Sequence, residues 1–178
     1  ASWTSTTVAY AYARSVASGE PFSHYFTLDS AGHPRFVYYD AGADANDPHW
    51  GVYYAGYDNG CTTAANWTEV QMLQDSSAQQ FDLAVSAAGQ SRMAFVSYDS
   101  DNVQWYVAYA ECGTGCFTAA NWSTLRLVDT VSASVTEYAT FSLRVDSSGH
   151  PRLALYTGTG LGGTLTPNTL YYLWCDAA

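Results

Sequence analysis

The sequence predicts an all-β chain made of three copies of one antiparallel unit of four short strands. Three observations carry this. Landmark residues recur at near-regular intervals, with Trp67 to Trp122 55 positions apart, Gly32 to Gly89 57 and Gly89 to Gly149 60. Glycine-bearing turns separate runs rich in Tyr, Trp and Val, the residue types that pack well on a pleated surface. No segment sustains a helical period. A repeat this long points to stacked supersecondary units that share their cores.

The middle copy, near 80–128, is the reference. It reads FDLAVSAAGQSRMAFVSYDSDNVQWYVAYAECGTGCFTAANWSTLRLV from Phe81 to Val128. The first copy, near 24–73, repeats Gly32 for Gly89, Arg35 for Arg92, Trp50 for Trp105, Tyr54 for Tyr109, Cys61 for Cys116, and TAANWT for TAANWS. The third, near 140–175, repeats only three quarters, with Gly149, Arg152, Leu170, Tyr172 and Cys175 for Gly89, Arg92, Val107, Tyr109 and Cys112. Its missing last strand has a counterpart at the other end of the chain, because SWTSTTVAY over 2–10 resembles NWTEVQML and NWSTLRLV. Strand 2–10 is therefore assigned to the third unit, and residues 1–178 to one repeat domain.

Within each copy the first strand alternates, as in Phe141, Leu143 and Val145 against Ser142, Arg144 and Asp146. The turn that follows is DSAGHPR, SAAGQSR or DSSGHPR, where Gly accepts a positive φ and Asp or Ser bonds the local backbone. Second strands are expected from Phe36, Met93 and Leu153, third strands over 50–57, 105–112 and 169–175, and fourth strands over 67–73 and 122–128.

Three such units resemble blades of a β-propeller. The D-x-x-G-x-P-R turn followed by an apolar strand is similar to bacterial secreted propeller repeats, and more loosely to the Asp-box hairpin of sialidase-like propellers. The Asp-box continues with Thr and an aromatic residue, which none of the three turns does. The resemblance implies a ring whose termini share a blade. Rings hold typically four to eight blades, so three call for a second copy, a longer chain or an open stack, and bare sheet edges are adhesive. Self-association is therefore expected. A β-sandwich or three-fold β-prism is the alternative fold.

Composition narrows the partners. With 48% hydrophobic residues, 178 residues can bury a core. Charged residues are 12%, all six basic residues are Arg, and the formal charge is −10. Such a surface repels phosphate backbones and anionic lipid, which argues against nucleic acid and membrane partners. No apolar run approaches the roughly 20 residues that span a bilayer. The start at Ala1 suits a mature chain whose leader was removed.

Cys112 and Cys116 flank GTG, and a local disulfide between them, rather than two thiols or a metal site, places the protein in an extracellular, secreted setting. Cys61 and Cys175 each lack a local partner and are read as thiols, as an inter-blade pair or as links to another chain. Arg35, Arg92 and Arg152, with His33 and His150 beside two of them, either bind an anionic or sugar ligand at equivalent positions or lie along a neighbouring strand paired to carboxylates. Trp50 and Trp105, with Trp67 and Trp122, either stack on sugar rings or pack between units. Asp40, Asp44 and Asp47, with Asn46, supply oxygens of the kind calcium takes, against the alternative of a solvated turn; Asp99, Asp101 and Asn102 supply fewer. No other cofactor is expected. Asn66 and Asn121 sit in N-x-S/T sequons. No G-x-S-x-G, H-E-x-x-H or phosphate-cradling loop occurs, and the carboxylates show no pairing suited to glycoside hydrolysis. The expected function is a non-catalytic extracellular binding or assembly module. A propeller-type lectin is the alternative, and a fragment of a sialidase-like hydrolase the third reading.

Overall fold

The structure is a computed structural model that describes residues 24–40, 48–60, 62–74, 78–102, 104–129, 140–157, 166 and 168–176. It is all-β, with three antiparallel sheets. Sheet 1 holds β1 (Phe26–Leu28), β2 (Pro34–Asp40), β3 (Gly51–Gly56) and β4 (Thr68–Gln74). Sheet 2 holds β5 (Ala78–Val85), β6 (Ser91–Asp99), β7 (Gln104–Cys112) and β8 (Trp122–Asp129). Sheet 3 holds β9 (Thr140–Val145), β10 (Pro151–Thr157) and β11 (Thr169–Trp174). In each sheet the strands lie in chain order. Among the described residues no closed barrel or ring forms. The segment 2–10, assigned above as the fourth strand of the third unit, lies outside the described residues, as do Asp44, Asp47 and Cys61.

The eleven strands fall where the repeat put them, with two local differences. Second strands start two residues earlier, at Pro34, Ser91 and Pro151; proline is tolerated as the first residue of a strand because its missing N–H costs least there. β5 starts at Ala78, three residues before the Phe81 expected to open the first strand of the middle copy, and its pairing with β6 slips between Gln79 and Asp82, where Gln80 takes φ +54°. Such a bulge bends the strand and re-aims the side chains beyond it.

The turns behave as their residues dictate. Gly32, Gly89 and Gly149 have φ of +83°, +80° and +83°, a region L side chains rarely enter. Before each fourth strand, Ala64–Asn66 and Ala119–Asn121 form single 3-10 turns. Asn66 Nδ2 donates to the Gly60 carbonyl at 2.9 Å, and Asn121 Nδ2 to the Gly115 carbonyl at 3.0 Å. Both sequon amides are thus tied into their own loops. The Cys112–Cys116 disulfide closes the loop beside Asn121.

Two hydrophobic clusters lie on opposite sides of sheet 2. Tyr54, Val52 and Val37 of sheet 1 meet Phe81, Met93 and Phe95 of sheet 2. Ala94, Val96 and Val107, on the reverse face of sheet 2, meet Phe141, Leu143 and Leu155 of sheet 3. The period of two in β6 therefore feeds two cores at once. The sheets stack in sequence, 1 on 2 and 2 on 3.

Truncating a residue of this double-sided sheet should be costly. Phe95→Ala is expected to destabilise the fold by about 3–5 kcal/mol, while Leu125→Ala, at an exposed position of β8, should change it by no more than about 0.5 kcal/mol. Urea denaturation midpoints check both.

Candidate functional site

The hairpin turns with their repeated arginines form the first cluster. Asp29 Oδ1 accepts the N–H groups of Ala31 and His33, both at 2.9 Å, and Oδ2 accepts Arg35 Nη2 at 2.7 Å. Arg35 also reaches Asp58 at 2.6 Å and the Tyr57 carbonyl at 2.6 Å. Desolvation pushes the Asp29 carboxyl up, but the two N–H groups, Arg35 and His33 outweigh it, and its pKa is lowered. Asp146 repeats the arrangement with Ser148, His150 and Arg152. Its pKa is also lowered, the His150 N–H being the largest cause. In the middle copy Ser86 Oγ takes the place of the carboxylate, accepting the Gln90 N–H at 3.2 Å, and Arg92 turns to Glu111 at 3.4 Å.

Asp29, His33 and Asp58 bring ligand atoms within 4.8 Å of one another, the spacing of a cation site. Arg35 already holds both carboxylates with one nitrogen. A divalent ion there would sit against a guanidinium, so the geometry is that of an ion-pair cluster.

The second cluster centres on Asp82, whose side chain is 0% exposed. The backbone of His24 pairs with β5, donating to the Phe81 carbonyl and accepting from the Leu83 N–H, both at 2.8 Å. This brings His24 Nδ1 to 3.6 Å from Asp82 Oδ2. The same oxygen accepts the Leu143 N–H of β9 at 2.8 Å and lies 3.5 Å from Arg144 Nη1. One carboxylate thus fastens sheets 1 and 3 to sheet 2. Burial raises its pKa against the pull of Leu143, His24 and Arg144, and Oδ1 has no hydrogen-bond partner among the described residues.

The third feature is the far side of sheet 3. Alternation along β11 turns Leu170, Tyr172 and Trp174 away from sheet 2, at 70%, 59% and 64% exposure. Tyr172 and Trp174 stack at 5.7 Å. Among the described residues β11 pairs only with β10. Where it meets sheet 2, a groove of about 330 Å³ opens, with Leu125 and Leu127 on one wall, Leu173 and Cys175 on the other, and Tyr109 and Glu111 beside them. The Tyr109 hydroxyl donates to Glu111 Oε2 at 2.9 Å, and its pKa is raised by burial, by that bond and by the carboxylate charge. The outer face of sheet 1 is likewise apolar, with Phe26 and Leu28 exposed at the end of a Phe26–Phe36–Trp67 column of rings.

The residues singled out in the sequence are distributed rather than gathered. Arg35 and Arg92 are buried with their guanidinium groups bonded to backbone carbonyls of their own hairpins, and Arg152 binds Asp146 and Asp176. Trp50 packs on the core between sheets 1 and 2 and donates to the Tyr39 hydroxyl at 2.6 Å. Trp105 packs on the core between sheets 2 and 3, beside Tyr98. Asp40 is buried at the end of β2. Asp99, Asp101 and Asn102 make a self-contained turn in which Asp99 accepts from both following N–H groups and from Arg126. Cys175 is an exposed thiol. No family model, curated protein or solved structure matches the chain.

Reading the sequence missed Asp82 and the β11 face. The signal for the face was present in the alternation of Leu170, Tyr172 and Trp174. Asp82 gave none, since its copies at Tyr25 and Ser142 are not acidic and only the packing of three sheets shows what it joins.

Two consequences can be measured. Asp82→Ala strands the Leu143 N–H and leaves a void, and should lose about 2–4 kcal/mol; Asp82→Asn keeps an acceptor and removes the buried charge, so it should lose less. Asp29, with a lowered folded pKa, stabilises the fold above its unfolded value near 4, and that contribution fades as pH falls through the folded value. Asp29→Asn should therefore cost about 1 kcal/mol at pH 7 and much less at pH 2.5, as followed by urea titration at both pH values.

Proposed function

We propose that this protein is an extracellular, non-catalytic binding and assembly module whose three sheets are blades of a propeller-like repeat. The observation that carries the reading is the pair of uncovered aromatic faces at the two ends of the sheet stack. Phe26 and Leu28 lie at one end, and Leu170, Tyr172 and Trp174 at the other. Contiguous apolar surface of this kind marks an interaction site rather than a solvated exterior. The propeller comparison is supported by the first strands of successive sheets lying side by side: residue 24 bridges to β5, and β5 meets β9 through Asp82 and Leu143. The disulfide favours an oxidising compartment, and no helix among the described residues is long and apolar enough to cross a membrane.

The chemistry available argues for binding over turnover. Arg35, Arg92, Arg126, Arg144 and Arg152 each lie within 4 Å of a carboxylate, so none is presented in a cluster for an anionic substrate. A lectin is the second reading, and the stacked, exposed Tyr172 and Trp174 favour it, because such rings offer an apolar platform to a pyranose. Trp50 and Trp105, engaged in cores, do not offer one.

Sedimentation equilibrium at micromolar concentration tests assembly. The expected mass is a multiple of the 19.3 kDa chain, and Leu170→Glu with Tyr172→Glu should shift it toward one chain. A wild-type monomer at tens of micromolar would sink the reading. Binding of monosaccharides that Trp174→Ala abolishes would favour the lectin instead.

A further inference from the structure

We infer that segment 2–10 of one copy is the fourth strand of sheet 3 in a second copy, with Trp3 filling the groove beside Tyr109, so that copies join head to tail. The inference rests on the assembly reading above and specifies the contact that makes it.

Internal repetition identifies the occupant. In sheet 2, Trp122 begins β8 opposite Cys112 of β7. Opposed residues share a face, and the Trp122 ring accordingly lies between sheets 2 and 1, with its centroid 5.1 Å from Tyr54 and Nε1 donating to the Cys116 carbonyl at 2.9 Å. Tyr109 occupies in sheet 2 the place of Tyr54 in sheet 1, since β3 pairs Tyr54 with Val70 and β7 pairs Tyr109 with Leu125. Cys175 stands for Cys112. The position of a tryptophan opposite Cys175 and against Tyr109 is therefore the groove between sheets 2 and 3. The one stretch of sequence left over that carries the N-W-[ST] pattern in modified form is SWT, placing Trp3 there.

Chain order decides which copy supplies it. β4 ends at Gln74 and the chain enters β5 of the next sheet at Ala78; β8 ends at Asp129 and the chain enters β9 at Thr140. Each fourth strand thus belongs to the sheet that lies on the following one. By the same rule segment 2–10, which precedes β1, belongs to a sheet lying on the outer face of sheet 1. Sheet 3, which has three strands among the described residues, is on the opposite side of sheet 2 in the same molecule. A second copy resolves this: its sheet 3 receives the strand and sets Leu170, Tyr172 and Trp174 on the Phe26 and Leu28 face of the first. The contact is heterologous, and two copies closing on each other give six sheets, within the four to eight that rings hold.

The test uses the full chain with Cys61→Ser as background. Trp3→Cys places a thiol opposite Cys175, and mild oxidation should give a covalent dimer whose peptides map to a 3–175 link between chains. The same link formed within one chain, or no link at all, would overturn the inference. Separately, Trp3→Asp should weaken association at least about tenfold, as expected for loss of a buried aromatic anchor. If Trp3→Asp associates as the wild type does, the strand contact is wrong while the assembly reading stands; if the wild type is itself monomeric, both fall.

Discussion

Met93 and Phe95 point to one side of β6 and Ala94 and Val96 to the other, and all four are buried. A sheet that is apolar on both sides is stable only between two others, so the middle sheet dictates a stack of at least three. The outer sheets inherit the same repeat, hence the same two-sided composition, but among the described residues each has a neighbour on only one side. Their exposed rings follow from copying a unit designed for the interior of a row. This single constraint explains the order of the sheets, the position of both cores and the uncovered faces at the two ends.

Polar groups are disposed around that constraint so that stacking leaves few charges stranded. The arginine of each turn runs back along its own hairpin to the carbonyl that ends the third strand, at Tyr57, Cys112 or Cys175. The carboxylate partner is the turn aspartate in the first and third copies, Asp29 and Asp146, and Glu111 in the second, while the guanidinium stays in place. Asp82 departs from the pattern. It is buried between sheets, holds a raised pKa and uses one oxygen to gather a backbone N–H, an imidazole and a guanidinium. A fixed polar contact of this type sets the mutual position of sheets that apolar packing alone would allow to slide.

Much of the fold was legible because strand and turn signals are local. The D-x-x-G-H-P-R turn states its own geometry, and Phe141, Leu143 and Val145 declare a face without reference to anything distant. What the repeat could not convey was the relation between units. The bulge at Gln79–Asp82 shifts which side chains of β5 face inward, and no spacing in the sequence marks it. Trp50 and Trp105 stay open to both ligand and packing roles in the sequence, because periodicity gives the face of a strand but not what covers it. The turn arginines were ambiguous for the same reason, and only the distances to Asp29, Glu111 and Asp146 assign them.

The chain contains no lysine, and its strand and turn arginines are drawn into ion pairs, with Arg35 and Arg92 almost wholly inaccessible. A protease that cuts after basic side chains must seat an extended backbone and swallow the cation, and here both are already engaged in ladders and carboxylate contacts. Folded material should thus yield to trypsin slowly at these five sites, an asset for any molecule exposed to digestive enzymes outside the cell.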